Sequence, residues 1–200
     1  MAQIFTFSLD SFRITDTRSR HNDTDYVSFT LLVKSANGTG TPKTLTKSMG
    51  DVNNGTHKVG LTFSGIPVNP TDTVVLNYLI VNAGHGNPSQ VVSGLESAGT
   101  KLATAGATAL GGAVGSVIPG FGTILGAAVG FLASEVTNLL NADCDGGVAA
   151  EQTTMTFNDM MTKTAKGTFI QTTKHPGTDS AHGCGGNSMY FVTWGMQSHP

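Results

Sequence analysis

Between Lys101 and Glu135 the chain carries no charged side chain. The heart of this stretch, TALGGAVGSVIPGFGTILGAAVGFLASEV at 108–136, is apolar and studded with glycine. Each glycine in a helix interior costs about 1 kcal/mol relative to alanine, so the run is a poor helix alone in water. A helix apolar on every side needs cover all round, from a core or from lipid. Pro119-Gly120 divides the stretch, because proline cannot continue a helix interior and glycine tolerates the turn. Before that hinge Ala103, Ala107, Gly111 and Gly115 recur every four residues, and after it Gly122, Gly126 and Gly130 do the same. Residues four apart share a helix face. Each arm therefore carries a ridge almost without side chains, the geometry of closely packed small-xxx-small helix pairs. An arm of about 17 to 20 residues reaches ~25–30 Å, which suits a hydrocarbon layer and a helix pair capping a sheet equally well.

On both sides of this insertion the texture is β. Phe5, Phe7 and Leu9 alternate in IFTFSLDSFRI, Val27, Phe29 and Leu31 alternate in YVSFTLLV, and KVGLTFSGIPV and DTVVLNYLIVNAG supply two further strands. The last of these reads as buried on both faces. TTMTFNDM, KGTFIQTT and SMYFVTWGM give two or three strands near the C-terminus. No βαβ alternation occurs, which argues against a doubly wound parallel sheet. The expectation is one domain over 1–200, mainly β, an antiparallel β-sandwich. Its strands come from 1–88 and 148–200, and a glycine-rich helical hairpin is inserted at 89–141. SGLESAGTKLATAG opens that insertion as a mildly amphipathic helix.

The Pro-Gly-x-Gly turn between Ala/Gly-rich apolar arms resembles the helical hairpins of some bacterial toxins. The resemblance is confined to this segment and implies entry into a membrane.

Composition narrows the functional classes. The formal net charge is −2, and the 11 basic residues form no run or stripe, so no nucleic-acid partner is expected. The N-terminus MAQIFTFSLD lacks a basic region followed by an apolar one, so no secretory signal is read there, and the expected location is the cytoplasm or export by another route. No G-x-S-x-G, H-E-x-x-H or Walker lysine is present, and DSAHGC at 179–184 is too compact to be a triad. The chain is therefore expected not to be an enzyme.

Two other groups stand out. DSFRITDTRSRHNDTDY crowds acids into what reads as a strand-to-strand loop. Asp16, Asp23 and Asp25 are the candidate ligands for Ca²⁺, which accepts several oxygens in loose geometry. The rival is a loop held by its own Asx turns and by ion pairs to Arg13, Arg18 and Arg20. Cys144 and Cys184 both lie beside glycines in predicted loops, which suits a disulfide, with free thiols as the alternative. The six histidines are spread along the chain and read as solvated loop residues. The leading expectation is a membrane-interacting protein, pore-forming or toxin-like, that acts through the hairpin as a homo-oligomer. The alternatives are a self-assembling structural protein and a calcium-dependent binding module using 16–25.

Overall fold

The structure is a computed structural model that describes residues 1–19, 22–112, 145–176 and 188–200, with only the backbone course of a helix at 106–112. Pro119, Gly120, Gly115, Gly122, Gly126, Gly130, Cys144 and Cys184 lie outside the described residues, and of Ala107 and Gly111 only the backbone course is described.

The β segments form two four-stranded antiparallel sheets. Strands β1 (Gln3–Asp16), β4 (Gly55–Val68), β7 (Phe169–Pro176) and β8 (Met189–His199) make sheet 1 in the order β4-β1-β8-β7. Strands β2 (Asp23–Lys34), β3 (Lys43–Val52), β5 (Thr73–Asn82) and β6 (Gly146–Thr156) make sheet 2 in the order β3-β2-β5-β6. The sheets enclose one core containing Phe5, Phe7, Leu9, Phe29, Tyr78 and Trp194. Its inward residues follow the period-two rule.

The apolar alternation of β1 changes phase between Leu9 and Phe12, and the structure shows why. Register slips between Leu9 and Ser11 against both neighbours, so Phe12 and Ile14 also turn inward. The matching irregularities in β4 fall at Gly60 and Gly65, whose φ values of 71° and 68° are the left-handed conformation a β-bulge of this kind needs.

Sheet 2 is covered on its second face by helix α1 (Pro88–Gly112). Asn87 caps its start, accepting from the backbone N–H groups of Ser89 and Gln90, and Pro88 occupies the first helical position. Val91, Leu95, Ala98 and Leu102 form its buried stripe, packed on Tyr26, Leu79, Val81 and Ala150. Ala103 sits on Leu32 and Val75. Val75, Leu79 and Val81 are therefore outer-face residues of β5, and that strand is buried on both faces as its composition suggests. Ser97, Lys101 and Thr104 stay exposed, so the described part of α1 is amphipathic. No helix among the described residues is long and apolar enough to cross a membrane.

KTLTKSMGDV, which has no apolar alternation to mark it and to which the sequence reading assigns no element, is edge strand β3. Two sequence expectations need correction. TTMTFNDM is not one strand: β6 ends at Thr156 and helix α2 (Phe157–Thr164) begins at once. Thr156 and Asp159 form a reciprocal capping box, which satisfies two otherwise orphaned donors and fixes the switch. The acidic stretch is only partly a loop, since Asp23 and Asp25 belong to β2.

Candidate functional site

The most unusual chemistry lies inside the sandwich, near the end where Asp25, Asn82 and Gly146 align across sheet 2. The β1–β2 connection is closed by Asp23. Its Oδ2 accepts from the Arg18 backbone N–H at 2.8 Å and its Oδ1 from that of Ser19 at 2.7 Å. Asn82, at the end of β5, donates to Ser19 Oγ and accepts from the Thr24 backbone N–H. The described part of the loop is thus held by Asx-type bonds.

Tyr190 of β8 brings the two acids of β2 together. Its Oη lies 2.7 Å from Asp23 Oδ2 and 2.8 Å from Asp25 Oδ2, and both acids are wholly buried. A phenol has one proton and cannot donate to two carboxylates. Burial, with the charge of Asp23 beside it, pushes the Asp25 carboxyl well above the usual range. Asp25 is therefore the protonated partner and donates to Tyr190, which donates to Asp23. Burial first, and then the two acids, also push the Tyr190 phenol upward. Asp25 Oδ1 is buried with no hydrogen-bond partner among the described residues.

This protonation has a measurable consequence. A group whose pKa is raised by folding contributes its full stability below the unfolded value of 3.8, and that contribution is lost as pH rises toward the folded value. An asparagine in its place would carry no charge at any pH, and the amide can donate to Tyr190 as the carboxylic acid does. Asp25→Asn is expected to raise the urea midpoint at pH 7, with the gap to wild type closing toward pH 4. A lower midpoint at pH 7 would contradict the assignment.

Arg18 is buried beside this pair. Its guanidinium lies against Gly146, and Nη2 donates to the Asp145 carbonyl at 3.4 Å. The buried Asp145 carboxylate has His85 Nδ1 at 3.6 Å and no hydrogen bond among the described residues. Of the three candidate calcium ligands, Asp23 and Asp25 are brought together, but by a phenol, while Asp16 is exposed at the end of β1. Among the described residues no three His, Cys, Asp or Glu side chains are placed to hold a metal ion.

A second buried network joins the sheets on the β6–β7 side. Tyr78 Oη donates to Glu151 Oε2 at 2.6 Å, and His175 Nε2 lies 2.6 Å from the same phenol. Gln171 Nε2 and Thr153 Oγ1 donate to Glu151 Oε1 at 3.0 and 3.3 Å. Since the Tyr78 proton points to Glu151, His175 must present Nε2–H to the phenol. His175 is thus a buried strand residue, not a solvated loop histidine. Burial pushes its pKa down to about 4.

Sequence reasoning alone does not single out Tyr78, Glu151, His175 or Tyr190. One signal is available: Glu151 is the only charged residue in GGVAAEQTTMT, an otherwise uncharged strand. A lone carboxylate there needs buried donors.

No protein-family model matches the chain, and no curated protein matches it significantly.

Proposed function

We propose that this is a non-enzymatic, membrane-interacting protein. The sandwich is its body, α1 is a docked root, and the apolar stretch 108–136 is the part that meets lipid. The observation that supports this reading is the change of character along one continuous stretch of chain. Up to Ala103, α1 has one face fixed to sheet 2 and another, with Glu96 and Lys101, turned to solvent. From Leu102 to Ser134 the sequence then offers no charged residue with which to face water. At ~25 cal/mol per Å², moving so apolar a segment out of water supplies a large driving force for a lipid, protein-core or partner environment. The glycine ridges at Gly111, Gly115, Gly122, Gly126 and Gly130 would let arms of the same or neighbouring copies pack closely, the pore-forming version of this reading.

Vesicle flotation with a dye-leakage readout tests it. The full chain is expected to rise with anionic or zwitterionic vesicles, and the double variant Ile124→Asp, Val129→Asp is expected to remain below. Charges at the centre of a membrane-embedded helix cost roughly 2.5–3.5 kcal/mol each. Wild-type protein that neither floats nor releases dye at any pH from 4 to 8, with or without Ca²⁺, would overturn the proposal whatever the variant does.

A further inference from the structure

We propose that Glu151, Tyr78 and His175 form an acid-sensitive clasp that holds β6 of one sheet to β7 of the other, and that acidification opens this side of the sandwich. β6 and β7 are edge strands of different sheets and share no hydrogen-bond ladder. The described polar bonds between them run through this network: Gln171 and His175 come from β7, Glu151 and Thr153 from β6, and Tyr78 from β5.

The geometry ties the clasp to the protonation of Glu151 and His175 together. Three donors converge on the two Glu151 oxygens. A proton on Oε2 would turn the Tyr78 hydroxyl toward His175 Nε2, which can accept it only while that nitrogen carries no proton, so once His175 is an imidazolium the chain of bonds cannot be kept whole. His175 is held neutral by burial, with a pKa of about 4 against an ordinary 6.5. Its contribution to the closed form is therefore complete above pH 6.5 and is lost as pH falls from 6.5 toward 4.

The other titratable groups around the clasp are also placed. Tyr190 of β8 pairs with His175 across the strands, with Asp23 and Asp25 of β2 behind it. Lys174 precedes His175 on the exposed side of β7, and Lys163 of α2 sits over Phe169 at the other end of that strand. The opposite side of the sandwich is built differently. There β3 and β4 are consecutive in the chain, and Lys47 Nζ donates to the Lys58 and Val59 carbonyls of β4.

The clasp stands independently of the membrane reading. Only its use as a trigger, by loosening the strand that follows the apolar stretch, rests on that reading. Hydrogen–deuterium exchange of the full chain without lipid tests it at pH 7.0 and 4.5, after correction for the intrinsic pH dependence of exchange. Peptides from β6 and β7 are expected to lose protection by about tenfold or more at pH 4.5, while β1 and β2 keep theirs. His175→Gln retains a donor toward Tyr78 without titrating and is expected to shrink this response. Unchanged protection at β6 and β7, or a uniform loss across all strands, would overturn the clasp. Seam opening at pH 4.5 without flotation would uphold the clasp and count against the membrane proposal. Flotation with the seam closed at both pH values would do the reverse.

Discussion

Replacing Gly99 by alanine is expected to destabilise the protein by about 2 kcal/mol, although alanine is the better helix former by roughly 1 kcal/mol. At Gly99 the backbone of α1 lies close against sheet 2. A Cβ there would lie 2.3 Å from Thr30 Oγ1, far inside van der Waals contact. The obstacle is not a flexible tip. Thr30 is wholly buried on central strand β2, its hydroxyl is bonded to Thr44 Oγ1 at 2.9 Å, and its χ1 is stiff because the side chain branches at Cβ. The Gly99 carbonyl also accepts from Asn77 Nδ2 at 3.0 Å, so lifting the helix to make room would strand a buried amide. Thr30→Ala removes the obstructing oxygen and leaves the nearest strand carbon at an ordinary distance. In a double-mutant cycle read by urea unfolding, Gly99→Ala should therefore cost much less on a Thr30→Ala background. Equal costs on both backgrounds would mean that the helix does not approach the sheet at this point.

A second large effect is expected at Leu95. It is fully buried at the middle of the α1 stripe, against the outer face of sheet 2. Leu95→Ala should cost about 2–5 kcal/mol, transfer and cavity combined. Ser97→Ala, two residues on and exposed, should change stability by less than about 0.5 kcal/mol. The contrast measures how firmly the helix that leads into the apolar stretch is held. If Leu95→Ala is as mild as Ser97→Ala, α1 is not docked in solution, and the body would not present its apolar stretch from a fixed root.

Much of the sheet architecture is legible because its strands obey one rule each. β2 and β5 are dense in β-branched and aromatic residues, and β5 is apolar at successive positions because α1 covers the face that would otherwise be wet. β3 is not legible in this way because it is an edge strand whose residues are mostly half-buried or exposed, so Thr, Lys and Ser carry no alternation to read. The strand-to-helix switch at Thr156 is disguised because Thr-Met-Thr-Phe alternates like a strand. The deciding interaction is a capping contact to Asp159, three residues further on. The buried polar networks are harder still. Tyr190 meets Asp23 across 167 positions of sequence, and each member taken singly is an ordinary strand tyrosine or turn aspartate. Proximity in the sequence groups Asp16 with Asp23 and Asp25. The turn of the chain leaves Asp16 on the surface and buries the other two around a phenol.

The membrane proposal makes one region, and not the body, the partner of lipid. The direct measurement places an environment-sensitive fluorophore at Ala127, within the apolar stretch, and in a second preparation at Thr62 on the exposed face of β4. Both are incubated with vesicles whose acyl chains carry a nitroxide quencher, with Cys144 and Cys184 replaced by serine so that each preparation has a single labelling thiol. Strong quenching is expected at position 127 and none at 62, while unlabelled protein competes the signal away. Quenching at both positions, or at neither while the protein still rises with the vesicles, would contradict the proposal.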